Sequence, residues 1–245
     1  MLSFLSFWAL LGGLLLSWEL VLYSPSHIFY WFVLCLFCSF FLILILTKNV
    51  LDWKKGFADY ISFILFCSGA FWWFLWLDFN VIKYAIPFVI WWFIVYFAKE
   101  SRKMGVISKK EKLVIFFGGT FFWSAISFGL LTVLGWRLWY CLLIFVFSFS
   151  FLSFSSVGLI SDLPMQKIKS WLLMILLSAE FFICFAWLPF AENTLSLITT
   201  LCVLFVYDFQ KYYLNPGLIK RKIILKKIIL YLLFFCLALA STPWY

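Results

Sequence analysis

The sequence predicts an all-α fold, a polytopic transmembrane helical bundle of about nine spans. Three observations predict it. Hydrophobic residues make up 67% of the 245 residues and charged residues only 12%, whereas a soluble domain carries about 25% charged residues. The hydrophobic residues fall in nine long runs separated by short polar breaks. The basic residues lie almost entirely in alternate breaks, which is typical of loops on one side of a membrane.

Each hydrophobic run has the length that a membrane span requires, because about 20 helical residues cross a hydrocarbon layer of ~30 Å. The first run lacks the basic start and the small-residue cleavage site of a signal peptide, so we expect it to be the first span. The last run is short, and we expect Trp244 and Tyr245 to complete its outer end at the aromatic interface. The expected spans are residues 2–23, 28–46, 57–77, 81–97, 113–134, 138–160, 171–190, 195–213 and 228–240.

Turn-forming residues separate the expected spans. Pro25 ends the first span, since proline disfavours helical geometry in the residue before it. Residues 78–80, 135–137 and 191–193 are minimal turns, and residues 215–217 (Asn-Pro-Gly) open a basic loop. No connection is long enough for a soluble domain. The sequence therefore predicts one transmembrane domain over residues 1–245, with successive helices as antiparallel neighbours.

The positions of the basic residues predict the orientation. The loops after the second, fourth, sixth and eighth expected spans hold 17 of the 19 lysines and arginines, and only Lys83 and Arg137 lie on the other face. Because basic loops stay on the cytoplasmic side, we expect the N-terminus inside and the C-terminus outside. The basic residues expected inside are Lys48, Lys54, Lys55, Lys99, Arg102, Lys103, Lys109, Lys110, Lys112, Lys167, Lys169, Lys211, Lys220, Arg221, Lys222, Lys226 and Lys227.

The net charge of +9 does not indicate nucleic-acid binding, because the basic residues are spread over short loops beside hydrophobic runs. The expected partners are membrane lipid and other membrane-protein subunits. Cys35 and Cys38 form a C-x-x-C pair, but the chain has one histidine and no second such pair to complete a metal site. We expect these cysteines to be small buried hydrophobes, and we expect no metal and no cofactor.

Glu180 is the most informative residue, because it lies at the middle of the seventh expected span. A carboxyl group at that depth is costly and normally faces the bundle interior with a partner. Ser148, Ser150 and Ser178 lie at similar depth, so we treat these four residues as a candidate buried polar site. Two interpretations stay open: a proton or substrate site, and an uncharged acid that hydrogen-bonds across helices and fixes their packing.

A second candidate site is a set of polar residues in the turns expected at the outer face: His27, Asp78, Lys83, Arg137 and Glu192. Such groups could line a wet cleft of a membrane enzyme, with the sole histidine as a general base. The simpler interpretation is that they are interfacial residues that meet water at helix ends. No catalytic residue follows from the sequence.

The segment of residues 180–190, with the closing Thr242-Pro243-Trp244, resembles uncharacterised multi-pass membrane proteins of small-genome candidate-phylum bacteria. The resemblance covers only the C-terminal part of the chain. It implies a bacterial plasma (inner) membrane, and it implies no activity.

Three functions remain compatible with the sequence. The first is a non-enzymatic subunit or scaffold of a membrane complex, favoured by the lack of any catalytic motif. The second is a small-solute or proton-coupled transporter that uses Glu180, although the only proline well inside a span is Pro87 and such transporters usually have broken helices. The third is a membrane-embedded enzyme acting on a lipid-linked substrate, for which paired intramembrane aspartates and an H-E-x-x-H motif are absent.

Overall fold

The computed structural model of the chain describes residues 2–46, 53–77, 80–104, 107–160, 163–214 and 221–240. These residues form nine α-helices and two short 3-10 turns, and no β-strand occurs among them. The helices are α1 (Leu2–Tyr23), α2 (Ile28–Leu46), α3 (Trp53–Trp73), α4 (Asn80–Met104), α5 (Lys109–Thr132), α6 (Leu138–Val157), α7 (Pro164–Phe185), α8 (Glu192–Leu214) and α9 (Arg221–Ala240).

The all-helical fold that the sequence predicts is confirmed, with one helix at each of the nine expected positions. Within the described ranges, six helices are long and apolar enough to cross a membrane, namely α1, α2, α3, α5, α6 and α7. Several helices extend past their expected spans into charged segments; α4 continues to Met104, and α9 begins at Arg221. Lysine and arginine are good helix formers, so a helix need not end where the hydrophobic run ends.

The chain divides into two compact units, residues 1–119 and residues 120–245. In the first unit α1 packs on α2 and α4, and α2 packs on α3. Its core contains the fully buried Trp18 and Phe74, whose rings meet edge to face with centroids 5.4 Å apart. The indole of Trp91 on α4 donates a hydrogen bond to the carbonyl of Leu11 on α1, at 2.8 Å.

In the second unit α7 packs on α6 and α8, and α8 packs on α9. Phenylalanine rings join α5, α6 and α7: the ring of Phe182 stacks on Phe128 at 4.3 Å and on Phe145 at 5.0 Å. The indole of Trp171 on α7 donates a hydrogen bond to the backbone carbonyl of Ser150 on α6, at 2.8 Å. These contacts fix which face of α7 is covered by its neighbours.

Candidate functional site

Helix α7 has one buried face and one exposed face. Its buried residues are Ser170, Met174, Ser178 and Phe182, each four positions after the previous one. Residues four apart lie on the same side of a helix, so these four define the covered face. Glu180 is two positions from both Ser178 and Phe182, which places it about 200° from them around the helix axis.

Glu180 is exposed, although we expected it to face the bundle interior. It lies on a row of exposed residues along α7 and just past its end, which we call the α7 stripe: Leu173, Leu176, Glu180, Cys184 and Trp187. Among the residues that the structure describes, none forms a hydrogen bond or an ion pair with Glu180. The stripe is therefore an apolar helix face with one unpartnered carboxyl group in its middle.

The three serines of this candidate site do not gather around Glu180. Ser178 is buried on the opposite face of α7 and donates its hydroxyl hydrogen bond to the carbonyl of Ile175, at 2.9 Å. On α6, Ser148 is buried, and Ser150 donates to the carbonyl of Phe147 at 2.9 Å. Hydroxyls that bond their own helix in this way are satisfied without a ligand.

The outer-face set is distributed over both units. His27 and Lys83 belong to the first unit and Arg137 and Glu192 to the second, while Asp78 lies outside the described residues. Nδ1 of the exposed His27 is hydrogen-bonded to the hydroxyls of Ser24 and Ser26, at 3.2 and 2.9 Å. Within the described part of the second unit, Arg137 and Glu192 form no ion pair with each other.

A polar cluster that the sequence did not single out joins α8 to α9. The carboxylate of Asp208 accepts a hydrogen bond from the ammonium group of Lys227, with 2.6 Å between Nζ and Oδ2. The hydroxyl of Tyr231 donates to the same oxygen, and Nζ of Lys227 lies 5.3 Å from the ring centroid of Tyr212. Burial lowers the pKa of Lys227, but the hydrogen bonds and charges of Asp208 and Tyr212 together outweigh burial, so the net shift is upward.

An apolar groove continues from this cluster along α8 and α9. It comprises a cavity of about 350 Å³ beside Asp208 and Lys227 and a second of about 420 Å³ farther along. Both cavities are lined by Phe205, Ile228 and Tyr231, so they lie next to each other between the two helices. We call this pair of cavities the α8–α9 groove.

The contact of Asp208 with Lys227 could not be predicted from sequence spacing. Asp208 is spaced to pair with Lys211 on its own helix, whereas the contact with Lys227 across the loop depends on how α8 and α9 pack.

A second polar cluster lies at the start of α5 in the first unit. The carboxylate of Glu111, which is 2% exposed, accepts hydrogen bonds at 2.6 Å from the hydroxyl of Ser101 and from the backbone N–H of Ser108. The Ser108 hydroxyl accepts a bond from the N–H of Glu111 at 3.3 Å. This reciprocal pair is a capping box, which the S-x-x-E spacing of residues 108–111 would have predicted. Its role is to hold the helix end.

The chain matches no protein-family model, no curated protein and no solved structure.

Proposed function

We propose that this chain is a multi-pass integral protein of the bacterial plasma membrane and serves as a non-enzymatic subunit or scaffold of a membrane complex. In this proposal α4, α8 and α9 cross the membrane together with the six strongly apolar helices. The N-terminus lies inside and the C-terminus outside, as the alternation of basic loops favours.

The exposed carboxyl group of Glu180 is the observation that supports a subunit role. A charged side chain at the centre of a span costs about 3 kcal/mol on insertion scales. Glu180 has no partner among the described residues of its own chain, and the residues beside it on the α7 stripe are apolar or weakly polar. A helix of another chain packed on the α7 stripe would remove the carboxyl group from lipid and supply a hydrogen bond.

The transporter alternative gains no support from this placement. A proton-coupled carrier needs its acidic group on a path that crosses the bundle interior, whereas Glu180 lies on the exposed face of α7. The enzyme alternative needs converging nucleophile, acid and base groups, and the described serines nearest in depth bond their own helices.

The test is the mass of the chain extracted from its membrane in a mild detergent, compared for wild type, Glu180→Gln and Glu180→Leu. We expect the wild type in a stoichiometric complex larger than one chain. Glu180→Leu should release the partner and leave the thermal stability of the chain unchanged or higher, because the carboxyl group has no internal contact to lose. Glu180→Gln should keep part of the complex, since the amide retains hydrogen-bonding capacity.

Leu143→Ala is the matched control, because Leu143 is 65% exposed on a different helix, α6. It should leave the complex intact. A wild-type chain that is fully stable as a lone monomer would contradict the subunit proposal. Release of the partner by Leu143→Ala as well would show that the effect is not specific to the α7 stripe, and would contradict the proposed docking face.

A further inference from the structure

We propose that the α8–α9 groove binds one anionic phospholipid, with an acyl chain along its apolar length and the phosphate beside Lys227. The proposal rests on the membrane location proposed above and not on the subunit role.

The apolar part of the groove fits a hydrocarbon chain. The cavity farther from Lys227 is lined by Phe181, Leu201, Cys202, Leu232 and Phe235 in addition to the three residues that both cavities share. Each cavity falls within the range of about 300–1,000 Å³ that small-molecule sites occupy. The two lie one after the other along the helices, because the second is lined by earlier positions of α8 and later positions of α9. A flexible acyl chain fills such a space, whereas a compact polar solute would leave the apolar walls without contacts.

The charged end of the groove fits an anionic headgroup. The ammonium group of Lys227 has three donors; one binds Asp208, and the lysine side chain remains 37% exposed. Lys226, adjacent in sequence, is exposed, so these two lysines outnumber the single acid, Asp208. Tyr213 is 76% exposed at the same end, and tyrosine is enriched at membrane interfaces.

The groove is therefore complementary to an anionic phospholipid: its apolar length contacts an acyl chain, and its basic end contacts the negatively charged headgroup. With the orientation proposed above, the basic end faces the cytoplasmic leaflet, whose anionic lipids attract lysines beside a membrane. A free phosphate ion would use the lysines alone and would gain nothing from the apolar walls. A lipid without net charge would fill the apolar cavities and gain little from the lysines.

The experiment measures lipid bound to the full chain after delipidation in detergent, by native mass spectrometry. The probes are phosphatidylglycerol and phosphatidylcholine with identical acyl chains. We expect one phosphatidylglycerol per chain to bind in preference to phosphatidylcholine. Ile228→Trp should displace it, because Ile228 lines both cavities. The matched control is Ile229→Trp, at the next position, which is 54% exposed and does not line them.

The charge is tested separately with Lys227→Gln. Loss of one lysine near an anionic lipid should weaken phosphatidylglycerol binding about fivefold and leave phosphatidylcholine unchanged. Ile228→Trp leaves the Lys227–Asp208 pair in place, so it remains informative if Lys227→Gln fails to fold.

Equal binding of the two lipids, or unchanged binding in Ile228→Trp, would overturn the proposal. Competition by inorganic phosphate at equal concentration would assign the site to a free anion and would also overturn it. These readouts do not depend on the mass of the protein complex, so failure of the lipid site and failure of the subunit role are distinguishable.

Discussion

At the scale of single residues, two adjacent glycines of α1 face very different surroundings. A Cβ atom added at Gly13 would lie 2.7 Å from Sγ of Cys38 on α2, whereas one added at Gly12 would meet nothing within 4 Å. Small residues let membrane helices approach closely. The absence of a side chain at Gly13 is therefore part of the contact between α1 and α2, and the absence at Gly12 is not.

We expect Gly13→Ala to destabilise the protein by about 1–3 kcal/mol, the usual cost of overpacking a filled core. Gly12→Ala should be neutral or slightly stabilising, because alanine is the better helix former. Thermal unfolding in one detergent compares the two variants. Adding Cys38→Ala to Gly13→Ala should recover much of the loss, since it removes the sulfur atom that clashes. Equal effects of the two glycine substitutions would contradict the close contact.

The burial of some side chains could be predicted from the sequence, but the helix face on which others lie could not. Cys35 and Cys38 lie buried, in keeping with their expected role as small hydrophobes. The sequence could not predict whether Glu180 lies on the buried or the exposed face of α7, because the helix has apolar residues on nearly all sides. In water an amphipathic pattern marks the buried face, but in lipid both faces can be apolar and the pattern disappears.

At the scale of helices, the start of α5 depends on a buried carboxylate. Glu111 joins Ser101 near the end of α4 to Ser108 before the first turn of α5. One side chain therefore caps one helix and ties it to the preceding helix. The helices themselves could be predicted from the apolar runs. The S-x-x-E spacing predicts the hydrogen bonds between Ser108 and Glu111, but the bond from Ser101 to Glu111 depends on how α4 and α5 meet across the loop.

Glu111→Ala should lower the free energy of unfolding by about 1–3 kcal/mol, because it leaves the Ser101 hydroxyl and the Ser108 N–H without their acceptor. Ser108→Ala should cost about 1 kcal/mol, as it removes the cap alone. Chemical or thermal unfolding in detergent measures both. Lys110→Ala, in the same helical turn but exposed, should change stability by much less. A loss in Lys110→Ala as large as that in Glu111→Ala would argue against a specific tie.

At the scale of the whole molecule, the orientation is the property with the most direct test. We expect Lys110, in the first turn of α5, on the cytoplasmic side and Arg137, before α6, on the external side, because the expected fifth span lies between them. Both residues are exposed, so a cysteine placed at either position is accessible to a reagent from its own side.

In a background lacking the exposed Cys184 and Cys236, a membrane-impermeant maleimide should label Arg137→Cys in intact cells. It should label Lys110→Cys only after the membrane is opened. Labelling of Lys110→Cys in intact cells would reverse the proposed orientation. Labelling of both variants in intact cells would mean that α5 does not cross the membrane.

The turn between α1 and α2 has a consequence for biosynthesis. The carbonyl of Ser24 accepts hydrogen bonds from the N–H of His27 and the indole of Trp31, both at 3.2 Å, so the turn is closed by its own residues. Together with the contact at Gly13, this lets the hairpin form before later helices are made. Synthesis at about 5–20 residues per second leaves it ten seconds or more alone with the membrane. A substitution that disrupts this contact would leave the hairpin accessible to proteases during translation, and we expect it to reduce the amount of protein made.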